Sequence, residues 1–132
     1  ETRVRMPKII EKKRWIASEY SKRLSGISQI QLPIEKEWAK SVFWMWGFIV
    51  DPKCGLDATK VSEGLKAQGI ETRPYFLGMH EQPVFHKRGL FVHEQYPVTE
   101  KAAKFGLYLP SGLTLTVEQI EEVSLAVRNV FR

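Results

Sequence analysis

Residues 69–85 of the chain read GIETRPYFLGMHEQPVF, and this stretch organises the elements on either side of it. Pro74 keeps Arg73 out of the helical conformation, so no regular helix can run through the segment. Gly69 fits the left-handed position that ends helices. We therefore predict a helix that ends at Gly69, a short strand over Ile70–Arg73, and an irregular aromatic loop after it.

Three side chains make this loop a candidate binding site. Arg73 brings a guanidinium, Tyr75 a ring with a hydroxyl, and His80 an imidazole. Loops that carry such groups on a rigid scaffold are frequent sites of binding chemistry. An exposed turn whose aromatic rings fill the edge of a core explains the same residues equally well. A salt bridge from Arg73 to Glu71, Glu81 or Glu94 is a further structural alternative.

The run Val42–Val50, VFWMWGFIV, is continuously apolar and predicts a strand buried on both faces. Strand alternation places Trp44, Trp46 and Phe48 on one face, together with the two terminal valines. The opposite face must also be covered. The candidates are another domain, a subunit, a ligand, and the loop of residues 75–96. Gly47 among bulky neighbours indicates a bulge or the close approach of another segment.

Local capping signals define the later helices. Asp57 is placed to cap a helix that ends at Gly69, and Thr116 with Gln119 forms a capping box for the last helix. Between them we expect a short helix at Thr99–Phe105 and a short strand at Leu107–Leu109. The buried stripe of the last helix is predicted to consist of Ile120, Val123, Val127 and Val130.

The net charge of +5 is concentrated at the start of the chain, where residues 1–24 carry eight basic and three acidic residues. Pro7 suits a first helical turn, and Met6, Ile9, Ile16, Tyr20 and Leu24 form one apolar stripe. Residues 27–40 read as an extended connection. A basic helix of this kind binds nucleic acid or another anionic partner, or is simply solvated. We favour a solvated face, because the charges lack the aromatic or glycine interleaving typical of proteins that bind single strands.

Composition places the chain among ordinary globular proteins, with 43% hydrophobic and 27% charged residues. The chain begins at Glu1, without a leader pattern or a membrane-spanning apolar run, so we expect a cytoplasmic fragment with no membrane partner. Cys54 has no second cysteine to pair with and reads as a surface thiol. The spacing of His80, His86 and His93 does not match a helical pair of metal ligands, so no metal site is predicted.

These elements predict an α+β fold, with a small mainly antiparallel sheet of about three or four strands and helices packed on one face. We divide the chain into a basic helix over residues 1–26 and one compact unit over residues 27–132. No glycine-rich phosphate loop and no catalytic pair of side chains can be assembled from the sequence. The chain on its own therefore looks catalytically incomplete.

A resemblance rests on three segments: GIETRPYFLGMHEQPVF, the preceding SVFWMWGFIVD, and the following YPVTEKAAKFGLYLPSGLTLTVEQI. In their order and spelling they resemble the carboxyl-terminal part of the DegT/StrS-type sugar aminotransferases, which are pyridoxal-phosphate enzymes. The TRP spelling is similar to that of the perosamine synthase-like branch, which acts at C4 of nucleotide-linked 4-keto-6-deoxy sugars. The resemblance implies the small domain of a fold-type I aminotransferase, which follows a large domain that this sequence lacks.

The resemblance also implies which chemistry lies elsewhere. In relatives, the lysine that binds pyridoxal phosphate covalently lies in the large domain, and so do the residues that hold the cofactor's phosphate. We therefore expect this chain to bind no cofactor by itself and to supply a wall of the substrate pocket. The resemblance implies three substrate-binding residues: Arg73, which would bind a diphosphate or a carboxylate, His80, which would bind the sugar or its phosphate, and Tyr75, which would offer a ring and a hydroxyl. Glutamate is implied as the amino donor, and a homodimer as the working form. Leu77-Gly78 departs from the bulkier or proline-containing pairs of many relatives, so the sugar and the nucleotide stay open.

Two alternatives belong to other classes of protein. One is a free-standing module that binds nucleic acid through its basic helix. The other is an α+β domain with a purely structural or regulatory role.

Overall fold

The computed structural model describes the backbone of residues 2–132 and the side chains of residues 4–132. Glu1 and the Arg3 side chain, which belong to the predicted basic segment, lie outside the described residues. The elements run in the order α1 (Thr2–Leu24), β1 (Ile30–Gln31), β2 (Trp46–Val50), α2 (Ala58–Lys66), β3 (Arg73–Pro74), α3 (Pro83–His86), α4 (Pro97–Phe105), β4 (Gly106–Leu109) and α5 (Val117–Val130). Short 3-10 turns occupy Pro52–Cys54 and Met79–Glu81.

The four strands form one antiparallel sheet in the order β1-β2-β4-β3. Trp46 pairs with Leu109 and Phe48 with Leu107, which places their side chains on one face. Because strand side chains alternate, the intervening residues point to the opposite face. The predicted α+β fold with an antiparallel sheet is confirmed, and the strand number is four.

One face of the sheet carries the core. Helices α1, α2 and α5 cover it with fully or nearly fully buried side chains, among them Tyr20, Val61 and Ile120. Trp46 stacks on Tyr20 with ring centroids 4.9 Å apart. Each large apolar side chain buried in this way contributes on the order of 1.5–3 kcal/mol of transfer free energy. The C-terminal half of α1 is thus part of the core, since Ile16, Ala17, Tyr20 and Leu24 are all buried.

The predicted caps are confirmed. The Asp57 side chain accepts a hydrogen bond from the Lys60 amide at 2.9 Å, and Gly69 has a left-handed φ of +79°. Thr116 and Gln119 form the reciprocal capping box of α5. Of the predicted apolar stripe of α5, Ile120, Val123 and Val127 are buried, and Val130 packs against the core from its edge.

The predicted strand Val42–Val50 is wrong in its first half, because β2 begins only at Trp46. Phe43 has a φ of +47°, which is incompatible with an extended strand. The Lys13 ammonium also binds the Trp44 carbonyl oxygen at 2.7 Å, which draws that segment out of the sheet. Val42 and Trp44 are consequently exposed by 47% and 64%.

Three further predictions about the bounds of strands and helices differ from the structure. The strand predicted at Ile70–Arg73 consists of Arg73–Pro74 only, because Ile70 turns into the core at 8% exposure. Strand β1 lies within the segment that was predicted to be an extended connection. Pro7 lies inside α1 rather than in its first turn, because the helix begins earlier, at Thr2.

Candidate functional site

The sheet face opposite the core is called here the outer face, defined by Gly47, Arg73, Tyr75, Gly106 and Tyr108. Arg73 pairs with Tyr108, and Tyr108 pairs with Gly47, so these three side-chain positions form one row across the sheet. The Tyr75 amide donates to the Gly106 carbonyl at 3.0 Å and continues this ladder by one residue. Two of the three predicted site residues, Arg73 and Tyr75, therefore share the outer face.

Two glycines form the floor beneath Tyr75. A Cβ atom on Gly106 would lie 2.3 Å from Tyr75 Cγ, and one on Gly47 would lie 2.8 Å from Tyr75 Cε1. The Tyr75 ring thus lies directly on the backbone of both strands, which only glycine permits at this distance. The close approach predicted at Gly47 is confirmed, and part of the loop of residues 75–96 does cover the outer face.

A second tyrosine extends this layer. Tyr108 stacks on Tyr75 with ring centroids 4.2 Å apart and an angle of 23° between the planes. Burial raises the pKa of Tyr75 to about 12, with a further contribution from Tyr108, and burial also raises the pKa of Tyr108. Both hydroxyls therefore stay protonated at neutral pH. Phe76 lies at the edge of the stack, 5.7 Å from Tyr108, and is 64% exposed.

Arg73 is exposed on the outer face. Within the described side chains, residues 4–132, no carboxylate lies within 4.0 Å of its guanidinium, so the alternative of a salt bridge to Glu71, Glu81 or Glu94 is not observed. The side chain is accessible to water, so its charge carries no burial penalty. Among residues 4–132, Arg73 is thus an exposed cation without an ion-pair partner.

An open cleft of ≈ 330 Å³ adjoins Arg73 at this end of the sheet. Its polar lining includes Arg73, Tyr108 and Glu71, and Met45 contributes apolar surface. The segment Pro110–Ser111, which follows β4, also lines the cleft. The cleft thus brings together one cation, one phenol and one carboxylate on a rigid sheet edge.

Helix α1 fixes the wall of this cleft. The Tyr20 hydroxyl donates to the Pro110 carbonyl at 2.8 Å, and the Lys13 ammonium donates to the Ser111 carbonyl at 2.5 Å. Burial lowers the pKa of Lys13, and its bonds to the carbonyl oxygens of Ser111 and Trp44 hold the ammonium in place. The preceding residue, Lys12, donates to the Leu115 carbonyl at 2.9 Å. The sequence showed a basic helix but not that its lysines hold backbone carbonyls at the site.

Arginines of α1 are also used internally. Arg14 binds both carboxylate oxygens of Glu35, at 2.7 and 2.9 Å. Hydrogen bonds from Arg14, and then from the Ser41 amide, lower the pKa of Glu35 to about 2. Arg23 pairs with Glu19 and with Glu121. Several basic side chains of α1 are therefore bound to other residues of the same chain. This weakens the alternative that the helix binds nucleic acid.

His80 lies apart from the Arg73 cleft. It is 7% exposed, and its Nε2 lies 3.1 Å from Glu100 Oε1 on α4. The Tyr96 ring contacts it edge-on at 4.8 Å, and the His86 ring binds its backbone carbonyl. The sequence had led us to expect His80 and Arg73 in one cleft. In the structure His80 lies outside that cleft and is bound to α4.

Other classes of site find little support in the described part of the chain. Within it, no group of three histidine, cysteine or acidic side chains could hold a metal ion. No helix there is long and apolar enough to cross a membrane. Cys54 is a half-buried free thiol.

Comparison with known proteins identifies the family. The model of the DegT/DnrJ/EryC1/StrS aminotransferase family matches residues 4–128, so the chain belongs to this family. GDP-perosamine synthase of Vibrio cholerae is 28% identical over 127 residues, which cover 96% of this chain and 34% of that protein. The chain thus spans about a third of the length of this curated relative. The resemblance inferred from the three sequence segments is confirmed.

Solved structures of aminotransferases share the fold. PseC of Helicobacter pylori, an aminotransferase involved in the biosynthesis of pseudoaminic acid, superimposes with a TM-score of 0.83 at 17% identity, over 96% of this chain and 34% of that one. GDP-4-keto-6-deoxy-D-mannose-3-dehydratase of E. coli, solved with bound hydrated PLP, gives a TM-score of 0.77 at 19% identity, over 93% and 32%. The predicted α+β fold of this chain is therefore shared with solved aminotransferases.

Proposed function

We propose that the chain is the C-terminal small domain of a pyridoxal-phosphate-dependent aminotransferase that acts at C4 of a nucleotide-linked 4-keto-6-deoxy sugar. Residues 1–26 join it to a large domain, and residues 27–132 form the small domain. Glutamate is the amino donor, the working form is a cytoplasmic homodimer, and the product serves amino-sugar and polysaccharide synthesis. Family membership and the likeness to a GDP-perosamine synthase support this proposal, and that relative is about three times as long as this chain.

One observation carries the role of this chain within such an enzyme. Arg73 stands on the outer face beside an open cleft, and no carboxylate in the described part of the chain neutralises it. A guanidinium offers five N–H donors in a fixed fork that matches phosphate and carboxylate oxygens. Tyr75, held flat on Gly47 and Gly106, supports the aromatic wall next to it. The chain thereby supplies one wall of a pocket for an anionic, ring-bearing substrate.

His80 takes a different place in this proposal. Because its ring is buried against Glu100 and Tyr96, it fixes the loop that follows Tyr75 onto α4. It reaches substrate only if the loop opens or if a ligand approaches from the α4 side. We retain it as a substrate-pocket residue to be tested separately from Arg73.

We further propose that the described residues of this chain do not bind pyridoxal phosphate by themselves. A cofactor lysine must present a free amine, and a lowered pKa favours it. Lys13 has a lowered pKa, but its ammonium is bound to the carbonyl oxygens of Trp44 and Ser111. We therefore assign the cofactor site to the large domain and expect the isolated chain to be inactive.

The test is to express the chain together with the reading frame that precedes it. The purified protein, supplied with pyridoxal phosphate, glutamate and a GDP-linked 4-keto-6-deoxy sugar, is expected to release 2-oxoglutarate and a 4-amino sugar nucleotide. The thymidine and uridine analogues identify the preferred nucleotide. A start codon immediately before residue 1, or a preceding domain without a lysine-bearing cofactor site, would contradict the proposal.

The nucleic-acid alternative predicts a different result. If the basic helix reads nucleic acid, the chain binds single-stranded DNA at physiological salt. The internal bonds of Lys12, Lys13, Arg14 and Arg23 argue against this outcome.

A further inference from the structure

Tyr108 was not among the residues that the sequence singled out, yet it occupies the centre of the outer face. It is the cross-strand partner of Arg73, and both residues line the ≈ 330 Å³ cleft. Directly paired residues in an antiparallel sheet have Cβ atoms roughly 4.5–5.5 Å apart, so their side chains emerge as neighbours. Any group that the Arg73 fork binds in this cleft is therefore close to the Tyr108 ring.

The Tyr108 hydroxyl is available as a donor. Its ring is held from one side by the stack with Tyr75, at 4.2 Å, while Phe76 flanks the edge. Within residues 4–132 the hydroxyl makes no hydrogen bond, although Tyr20 and Tyr96 both use theirs. A hydroxyl whose ring is fixed by stacking, and which has no hydrogen-bond partner among the described residues, can donate to a ligand.

The combination of donors distinguishes between two oxyanions. A carboxylate has only two oxygens, and one guanidinium can contact both of them, as Arg14 does with Glu35. A phosphate group has further oxygens that point away from such a fork, and a diphosphate has more again. A guanidinium and a separate phenol can therefore bind different oxygens of a diphosphate, whereas on an amino-acid carboxylate they would share the same two.

We propose that Arg73 and Tyr108 together form a phosphate-binding subsite, in which the guanidinium pairs with a phosphate of the ligand's diphosphate and the Tyr108 hydroxyl donates to another oxygen of that diphosphate. The proposal deepens the proposed function and rests on it for the identity of the natural ligand. It adds Tyr108 as a substrate-contacting residue. Glu71 lines the same cleft, and its negative charge weakens the binding of an anion there.

The experiment is an NMR titration of the 132-residue chain with inorganic pyrophosphate and with GDP, up to millimolar concentration. We expect both ligands to shift the signals of Arg73 and Tyr108. Y108F is expected to weaken binding by about tenfold, which is the loss of one hydrogen bond to a charged group. Y96F is the matched control, because it removes an exposed hydroxyl that is bonded to Glu94, and it is expected to leave the Kd unchanged.

A second pair of variants tests the charge at the subsite. R73Q should abolish measurable binding, whereas R88Q, which removes an arginine outside the cleft, should not. E71Q should tighten pyrophosphate binding by about twofold, because it removes a nearby like charge in a solvent-exposed cleft. Weaker binding in E71Q would contradict an anion site.

The outcomes separate this subsite from the proposed enzyme. No ligand shifts at millimolar pyrophosphate, or a wild-type Kd in a folded Y108F chain, would overturn the subsite whatever the longer protein catalyses. Displacement of pyrophosphate by millimolar glutamate would also overturn it, by assigning the cleft to the amino donor. If the subsite binds pyrophosphate as expected while the longer protein fails to transaminate, the proposed function fails and the subsite stands.

Discussion

Replacing Gly106 by alanine tests whether the outer face is built on close contact between Tyr75 and the sheet. The new Cβ would lie 2.3 Å from Tyr75 Cγ, 2.4 Å from Tyr75 Cδ2 and 2.4 Å from the Ala102 carbonyl oxygen. Neither the ring nor the helix carbonyl can yield without breaking other contacts. Overpacking of this kind costs about 1–3 kcal/mol, and we expect G106A to lie near the upper end. The measurement is the free energy of unfolding in urea, followed by tryptophan fluorescence.

Two comparisons make this prediction specific. Gly26 has open space within 4 Å of its Cβ position, so G26A should change the unfolding free energy by less than about 0.5 kcal/mol. In a Y75A background two of the three close contacts are absent, so G106A should cost about 1 kcal/mol less than in the wild type. It should still be destabilising, because the Ala102 carbonyl remains. If G106A proves as mild as G26A, Tyr75 does not lie on the glycine floor, and the outer face described here is wrong.

Four further predictions concern charge and activity. The Glu35 carboxyl should titrate in the folded chain near pH 2, below its ordinary pKa of 4.5. The stabilisation from its pair with Arg14 is therefore complete above pH 4.5 and is lost as the pH falls through about 2. Carboxyl NMR of R14Q should show the titration midpoint of Glu35 returning toward 4.5. In the complete enzyme, R73A should raise KM for the nucleotide sugar by a few tens of fold, or about 2 kcal/mol, while Tm hardly changes. If R73A instead unfolds the domain and the remaining active enzyme keeps a normal KM, Arg73 has a structural role. Random single-stranded DNA should bind only weakly, with binding that vanishes near physiological salt, and tight binding at that salt would favour the nucleic-acid module. The isolated chain should retain no pyridoxal phosphate after dialysis, and a cofactor fixed to one lysine by borohydride would contradict this.

Local signals in the sequence were sufficient for the starts of α2 and α5. The cap of α2 at Asp57 and the capping box at Thr116 depend on residues three positions apart, and the structure contains both. The apolar stripe of α5 was predicted by the same short-range logic. Such features are visible in a sequence because the atoms that interact are close along the chain.

Features that depend on distant contacts could not be predicted in this way. Residues 42–45 have the composition of a strand, but the bond from Lys13 to the Trp44 carbonyl joins positions that lie 31 apart in sequence. His80 was expected at the Arg73 cleft, whereas its position depends on Glu100, 20 residues further on. Tyr108 was recognised as part of a strand, but its pairing with Arg73 required the strand order β1-β2-β4-β3, which no local pattern gives.

The basic helix shows most clearly why the candidate site cannot be separated from the fold. Read as a sequence, residues 1–26 form a charged connector with a solvated face. In the structure, Lys13 and Tyr20 bind the backbone carbonyls of Ser111 and Pro110, two residues that line the same cleft as Arg73. Neutral hydrogen bonds of this kind contribute about 0.5–1.5 kcal/mol each and those from charged donors about 1.5–3 kcal/mol, so together they hold a short loop in one position. A change at Lys13 should therefore alter the shape of the cleft beside Arg73, although its ammonium lies on a different element from Arg73.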